Sequence, residues 1–231
     1  MTLEFRAARV TLGDFTLRAD LTVPAGARVA VIGPSGSGKS TLLALVAGFL
    51  RPDAGAVLWQ GRDLAPLPPG ERPVSILFQD QNLFPHLTVA QNVALGLRPD
   101  LRLTPAQHAA VAAALQSVGL AGMGGRRPAA LSGGQQGRVA LARVGLRARP
   151  ILLLDEAFAA LGPALKDEML DLVAGIARDG NATVLMVTHD PDDARRFADL
   201  TIVVDEGVAA PPQPTGPLLD NPPPGLRAYL G

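Results

Sequence analysis

The run Gly33-Pro34-Ser35-Gly36-Ser37-Gly38-Lys39-Ser40-Thr41 fits the pattern G-x-x-x-x-G-K-[ST]. Glycines at these places let the backbone bend around an anion, so that successive N–H groups point inward as a nest of donors. A helix starting here adds its positive dipole end. Lys39 is spaced to reach the β- and γ-phosphates, and the Ser40 hydroxyl to coordinate Mg²⁺. The chemistry is binding of a nucleotide's phosphates. The type of NTPase is left open.

Three further groups of residues could act on that ligand. Ile151-Leu152-Leu153-Leu154-Asp155-Glu156 is a buried-strand run ending in two acids, which at the carboxyl edge of a parallel sheet fall where ligands bind. Asp155 would hold Mg²⁺ through water, and Glu156 would orient the water that attacks the γ-phosphate. Thr188-His189-Asp190 follows the apolar run Val184 to Val187 onto the same edge, where His189 could donate a hydrogen bond to the γ-phosphate. Leu131-Ser132-Gly133-Gly134-Gln135 precedes a helical run through Arg143 and reads, by spacing alone, as a serine- and glycine-rich N-cap able to place donors on an anion. His86 and His108 are given no role.

The elements that must carry these residues are legible as alternating short apolar runs and longer helical patterns, the signature of a parallel sheet flanked by helices. Strands are predicted at Val29 to Ile32, Val74 to Phe78, Ile151 to Leu154, Val184 to Val187 and Thr201 to Val204, and a helix over Thr41 to Phe49. From about Leu87 to Leu146 the pattern is helical. Within it Thr104-Pro105 is an N-cap with proline at the first helical position, ahead of an alanine-rich helix over Gln107 to Leu115. The tail holds Pro211, Pro212, Pro214, Pro217 and Pro222 to Pro224 and can form no central element.

Bulk composition narrows the classes. The 231 residues are 48% apolar, enough for one large α/β domain or two small ones. The formal net charge is zero, which gives no support to nucleic-acid binding. Without cysteine there is no disulfide framework, thiolate metal site or cysteine nucleophile, which suits a reducing cytosol. Glu4, Arg6 and Arg9 break any signal-like run at the N-terminus. The apolar stretches fall far short of the roughly 20 residues a spanning helix needs.

In L-S-G-G-Q placed between the phosphate loop and the acid pair, the sequence resembles the ABC ATPase family, over about Val10 to Val208 and five ordered motifs. The resemblance implies a P-loop NTPase (RecA-like) parallel-sheet core with an antiparallel β edge and an inserted helical subdomain. It implies one ABC ATPase domain over 1–231, with core at about 1–86 and 147–210, a helical subdomain at about 87–146 and a Pro-rich tail at 211–231. Such ATPases bind ATP and Mg²⁺ and dimerise head to tail, each ATP lying between one copy's phosphate loop and the other's signature. By that likeness Ser132, Gly133, Gly134 and Gln135 would contact the nucleotide of a second copy. Gln79 would be the glutamine that ligates Mg²⁺ alongside Ser40 and Asp155. The segment Asn82 to Val89 would receive a membrane permease, although its apolar residues fit plain core packing equally.

A narrower likeness holds for Arg72 to Gln79, Leu87 to Val93 and Pro163 to Leu165 with Glu168 to Leu170, which resemble the ATP-binding subunits of thiamine importers. These sit on the cytoplasmic face of the inner membrane and are served indirectly by a periplasmic binding protein. An import motor for iron, molybdate, polyamine or phosphonate, and a non-transport ABC ATPase, are the alternatives. A P-loop kinase or GTPase is disfavoured by the signature and by the absence of an N-K-x-D segment. Four departures from the family pattern stand out: Gln136-Gly137 after the signature, Ala157 after Glu156, Gly162 where an aspartate is usual, and Leu12 where an adenine-stacking aromatic is expected. Phe15 could substitute for that aromatic, but fits the core better. Hydrolysis is expected to persist, with looser coupling between the two ATP sites.

Overall fold

Apolar and polar residues alternate through Thr2–Leu12 (β1) and Phe15–Pro24 (β2), the period of a strand covered on one face. Gly13, at φ 59°, turns one into the other as an antiparallel hairpin. The computed structural model describes residues 2–80 and 82–230. Next come the buried strand Arg28–Ile32 (β3), the helix Lys39–Ala47 (α1), and the strands Ala54–Trp59 (β4) and Arg62–Asp63 (β5). Helix α1 starts two residues earlier than expected and stops at Gly48, whose φ of 88° ends it. Arg72, only 2% exposed, donates to the terminal carbonyls of α1, reaching Leu45 O at 2.6 Å and Val46 O at 2.9 Å. A guanidinium thus satisfies acceptors that the helix leaves orphaned.

The described chain forms two compact units: one runs to Val74 and takes in Pro150–Glu156 and everything from Asn181 on, the other holds Ser75–Arg149 and Ala157–Gly180. The strand Val74–Phe78 (β6) leads into the second unit. Helices Val89–Ala94 (α2), Pro105–Ser117 (α3), Gly133–Arg147 (α4) and Pro163–Asp179 (α5) build it. Each of the first three begins with a capping box, Thr88 with Gln91, Thr104 with Gln107 and Ser132 with Gln135. Their apolar faces meet in a core that includes Val89, Val93, Val111, Leu115, Leu120 and Val139.

The rest of the first unit comprises the strands Ile151–Asp155 (β7), Thr183–Val187 (β8), Leu200–Asp205 (β9), Val208–Ala209 (β10) and Gln213–Pro214 (β11), with short helices Pro191–Phe197 (α6), Thr215–Asp220 (α7) and Pro224–Leu230 (α8). Its sheet runs β5-β4-β1-β2-β10-β9-β3-β8-β7. Strands β9, β3, β8 and β7 are mutually parallel, whereas β5, β4, β1 and β2 form the antiparallel side. Strand register aligns the ends of the parallel strands: Val31 lies opposite Val187, and Val187 opposite Asp155. The residues after β3, β7 and β8 therefore leave the sheet at one edge. The proline-rich tail is folded, with Pro214 at a sheet edge and Pro217 and Pro224 in first helical turns, where no backbone N–H is needed. Among the described residues no helix is long and apolar enough to cross a membrane.

Candidate functional site

The loop after β3 lies in the first unit and is shaped by three glycines, Gly33, Gly36 and Gly38, with φ of 148°, 77° and 110°. At Gly33 a Cβ would stand 1.9 Å from the Val204 carbonyl oxygen, so no larger residue fits against β9. Inside this loop the buried Lys39 ammonium donates to the carbonyls of Gly33 and Pro34, each at 2.8 Å. Burial pulls its pKa below the ordinary value, while the carboxylates of Glu156 and Asp155 act in the opposite sense. The Ser37 hydroxyl is buried in the same loop with no hydrogen-bond partner. A buried orphan donor beside a ring of positive-φ glycines is a cradle of the kind an anion completes.

Asp155 ends β7, and its carboxylate accepts the Ser40 hydroxyl at 3.0 Å. Burial pushes this carboxyl up, the Ser40 bond lowers it, and neighbouring Glu156 adds to the rise. A hydroxyl and a carboxylate brought together beside a phosphate cradle are the oxygen donors that suit Mg²⁺. Glu156 comes next in the left-handed region, at φ 49°, with its N–H on the Val187 carbonyl at 3.3 Å. A non-glycine residue there costs about 1–2 kcal/mol, and such strain gathers where a side chain must point one particular way. His189 Nδ1 lies 4.0 Å from Glu156 Oε2. The His189 turn is fixed on both sides by Thr188, whose N–H donates to Val31 O and whose hydroxyl bonds the Asp193 carboxylate at 3.0 Å while accepting the Asp190 N–H at 3.1 Å.

The loop, Glu156 and His189 thus line one cavity of about 620 Å³, and Asp155 is tied to it through the Ser40 hydroxyl. Two further residues line it. Phe15 is half-buried rather than core: its ring rests on the loop at Gly38, where a Cβ would come within 2.8 Å, and it also lines a neighbouring cavity of about 510 Å³ with Asp14, Arg18 and Glu206. Leu12, by contrast, is 43% exposed and lines neither cavity. Tyr229, from the tail, is the second.

The remaining residues singled out by sequence lie in the second unit. Gln79 is exposed in the turn after β6. Ser132 caps α4, its hydroxyl accepting the Gln135 N–H at 3.3 Å while the Gln135 carboxamide accepts the Ser132 N–H at 3.0 Å. The Gln135 oxygen is therefore engaged in the cap. Gly134 packs so tightly that a Cβ would meet Leu165 at 2.6 Å, whereas Gly133 has open space. Gln136 uses its amide on the carbonyls of Pro128 and Leu131, which a basic residue at this place would reach differently. Arg138 ties α4 to Val118 O and pairs with Glu168 on α5. In the segment after Gln79, Val89 is fully buried and Leu83 packs on the core, but Phe84 is 45% exposed. The wholly buried Asn92 fixes it, accepting the Phe84 N–H at 2.8 Å and donating to its carbonyl at 3.1 Å.

A model of the ABC transporter family matches residues 17–159. The chain belongs to the ABC transporter family. Membership makes it an ATP-binding chain. It is 68% identical to the thiamine import ATP-binding protein ThiQ of Cereibacter sphaeroides, over 95% of both chains, and 59% identical to ThiQ of a Ruegeria species, again over 95% of both. Among solved structures, cbiO1 of Clostridium perfringens, part of the ABC transporter complex cbiONQ, superposes with a TM-score of 0.84 at 26% identity, covering 95% of this chain and 90% of its own. The mixed sheet, with its parallel core and antiparallel side, is the ABC ATPase fold.

Proposed function

We propose that this chain is the ATP-hydrolysing subunit of an importer of thiamine and its phosphates, coupled to a separate membrane permease. The observation that carries this reading is identity of 68% to a thiamine import ATP-binding protein across nearly the whole of both chains, with the phosphate loop, acid pair and histidine all present. In this reading Gly33 to Thr41 wraps the ATP phosphates and Lys39 turns its ammonium from loop carbonyls to phosphate oxygens. Ser40 and Asp155 would hold Mg²⁺, which draws charge from the phosphate oxygens when bound. Glu156 orients the attacking water, its strained backbone fixing the carboxylate's direction. His189 donates toward the transferred phosphoryl group. Phe15 offers its ring to the base in place of an aromatic at position 12.

The signature residues Ser132, Gly133 and Gly134 serve the nucleotide of a second copy, and Gln135 holds the cap that presents them. Phe84, exposed yet pinned by Asn92, is the anchor we assign to the permease contact. The subunit works at the cytoplasmic face of the inner membrane, with substrate arriving through a periplasmic binding protein. Uptake of labelled thiamine tests the whole reading in cells lacking the chain. Wild type is expected to restore uptake and Glu156→Gln is not. Normal uptake in the deletion strain, with no second thiamine importer present, would remove the cargo assignment.

A further inference from the structure

The proline-rich tail returns to the phosphate cavity along a series of anchors. Thr215 and Thr201 hydroxyls share a buried hydrogen bond of 2.9 Å, Leu218 and Leu219 are buried, and Asp220 pairs with Arg195 of α6 at 2.8 Å. Leu226 is buried in turn, and Gly225 sits so close to Asp205 that a Cβ would stand 2.9 Å from its carboxylate. One helical turn after Leu226, on the same face, comes Tyr229. Its hydroxyl donates to the His189 carbonyl at 3.2 Å, and its ring lines the cavity together with Lys39, Ser40, Glu156 and His189.

We propose that Tyr229 is a positioning residue for hydrolysis: its hydroxyl fixes the turn that presents His189, and its ring walls the phosphate end of the cavity. Thr188 already restrains the residues on either side of His189, and the tyrosine restrains the carbonyl of His189 itself, so its imidazole issues from a turn held at three points. The surroundings suit a neutral phenol that donates a hydrogen bond. Burial raises its pKa, and the Glu156 and Asp190 carboxylates raise it further. Nothing in the phosphate-loop pattern or the acid pair calls for this residue. It reaches the site only because the tail folds back onto the sheet edge.

Tyr229 is the only tyrosine in the chain, so its signal needs no assignment. This inference rests on the ATP-hydrolysing reading of the site, and two measurements on the full chain separate the two. First, the protein labelled with 3-fluorotyrosine should show one fluorine resonance that moves when a non-hydrolysable ATP analogue and Mg²⁺ are added. A resonance unmoved at saturating analogue overturns the placement whether or not the chain turns over. Second, Tyr229→Phe should keep the KM for ATP and the thermal midpoint while lowering kcat about two- to ten-fold, the worth of one hydrogen bond. Tyr229→Ala should also raise KM, because the cavity loses its wall. A wild-type kcat in Tyr229→Phe, or a fall in kcat accompanied by an equal loss of stability, overturns the positioning role. Wild type that hydrolyses no ATP would count against the reading of the site instead, and the fluorine signal would still decide where Tyr229 lies.

Discussion

Helix α1 starts after Gly38 at φ 110° and has no side-chain cap, while helix α4 starts after Ser132 at φ −66° and closes its own first turn with Gln135. Both starts are glycine-rich, and the proposed function sets both against nucleotide. The glycines nevertheless serve different ends. Around α1 they give the backbone a path that only glycine takes, and no side chain competes for the first-turn N–H groups, so the dipole end is available to phosphate. At α4 the cap is built from side chains, as at α2 and α3, and the helix start holds its shape unaided. Gly133 there needs no special conformation, and Gly134 is required by Leu165.

Alanine substitution at the two helix starts should give the largest divergence. Gly38→Ala meets about 1–2 kcal/mol of backbone strain before the contact with Phe15 is counted, so ATP binding should fall at least about ten-fold. Gly133→Ala should leave both stability and ATP binding by the isolated subunit unchanged, yet abolish hydrolysis if a second copy's nucleotide must approach that backbone. Equilibrium binding, thermal unfolding and phosphate release check the pair. Equal effects of the two substitutions on binding would mean that the two helix starts do the same job.

The opposite end of α1 gives the next largest effect. Arg72→Met removes the donor to two buried carbonyls and should cost about 2–4 kcal/mol. For a chain of this size that lowers the thermal midpoint by roughly 5–15 °C. An unchanged midpoint would show that the guanidinium is dispensable to α1.

Much of this was legible in the sequence because it is local. Thr104-Pro105, Leu131 to Gln135, the phosphate loop and the runs at β3, β6, β7, β8 and β9 announce themselves by spacing, and the expected strand positions match. The antiparallel side was expected from family likeness, although the alternation in Phe15–Pro24 could have been read directly. Phe15 stood between a base-stacking and a core reading, while Arg72 and Tyr229 were not legible. Each owes its role to a partner far along the chain: the α1 carbonyls lie 26 and 27 positions from Arg72, and His189 lies 40 from Tyr229. Arginine before proline looks like a surface residue, and a tyrosine after three prolines looks like a loose end. Only the closed fold assigns them.

Two smaller effects bear on the same division between binding and positioning. Asp155 has a folded-state pKa raised above the ordinary 3.8, so its charged form destabilises the folded state at neutral pH and protonation relieves that cost. In metal-free buffer Asp155→Asn should therefore be more stable than wild type at pH 7. The advantage should shrink as pH falls through the raised pKa towards 3.8. Thermal unfolding across pH checks this, and a less stable Asn variant would contradict it. Gly162, the N-cap of α5 at φ −67°, has no side-chain cap and open space at its Cβ position. Gly162→Asp should add a few tenths of a kcal/mol to stability. If this loop couples two ATP sites, the same change should raise the Hill coefficient of hydrolysis, and unchanged cooperativity and rate would remove that idea.

Glu156, strained at the end of β7 beside Asp155 and His189, activates water in this scheme, while the glycine loop does the binding. ATP binding and phosphate release, measured side by side for wild type and Glu156→Gln, separate those two tasks. The predicted result is unchanged ATP affinity with hydrolysis reduced at least about 100-fold. Hydrolysis at the wild-type rate, or binding lost along with it, would contradict that division of labour.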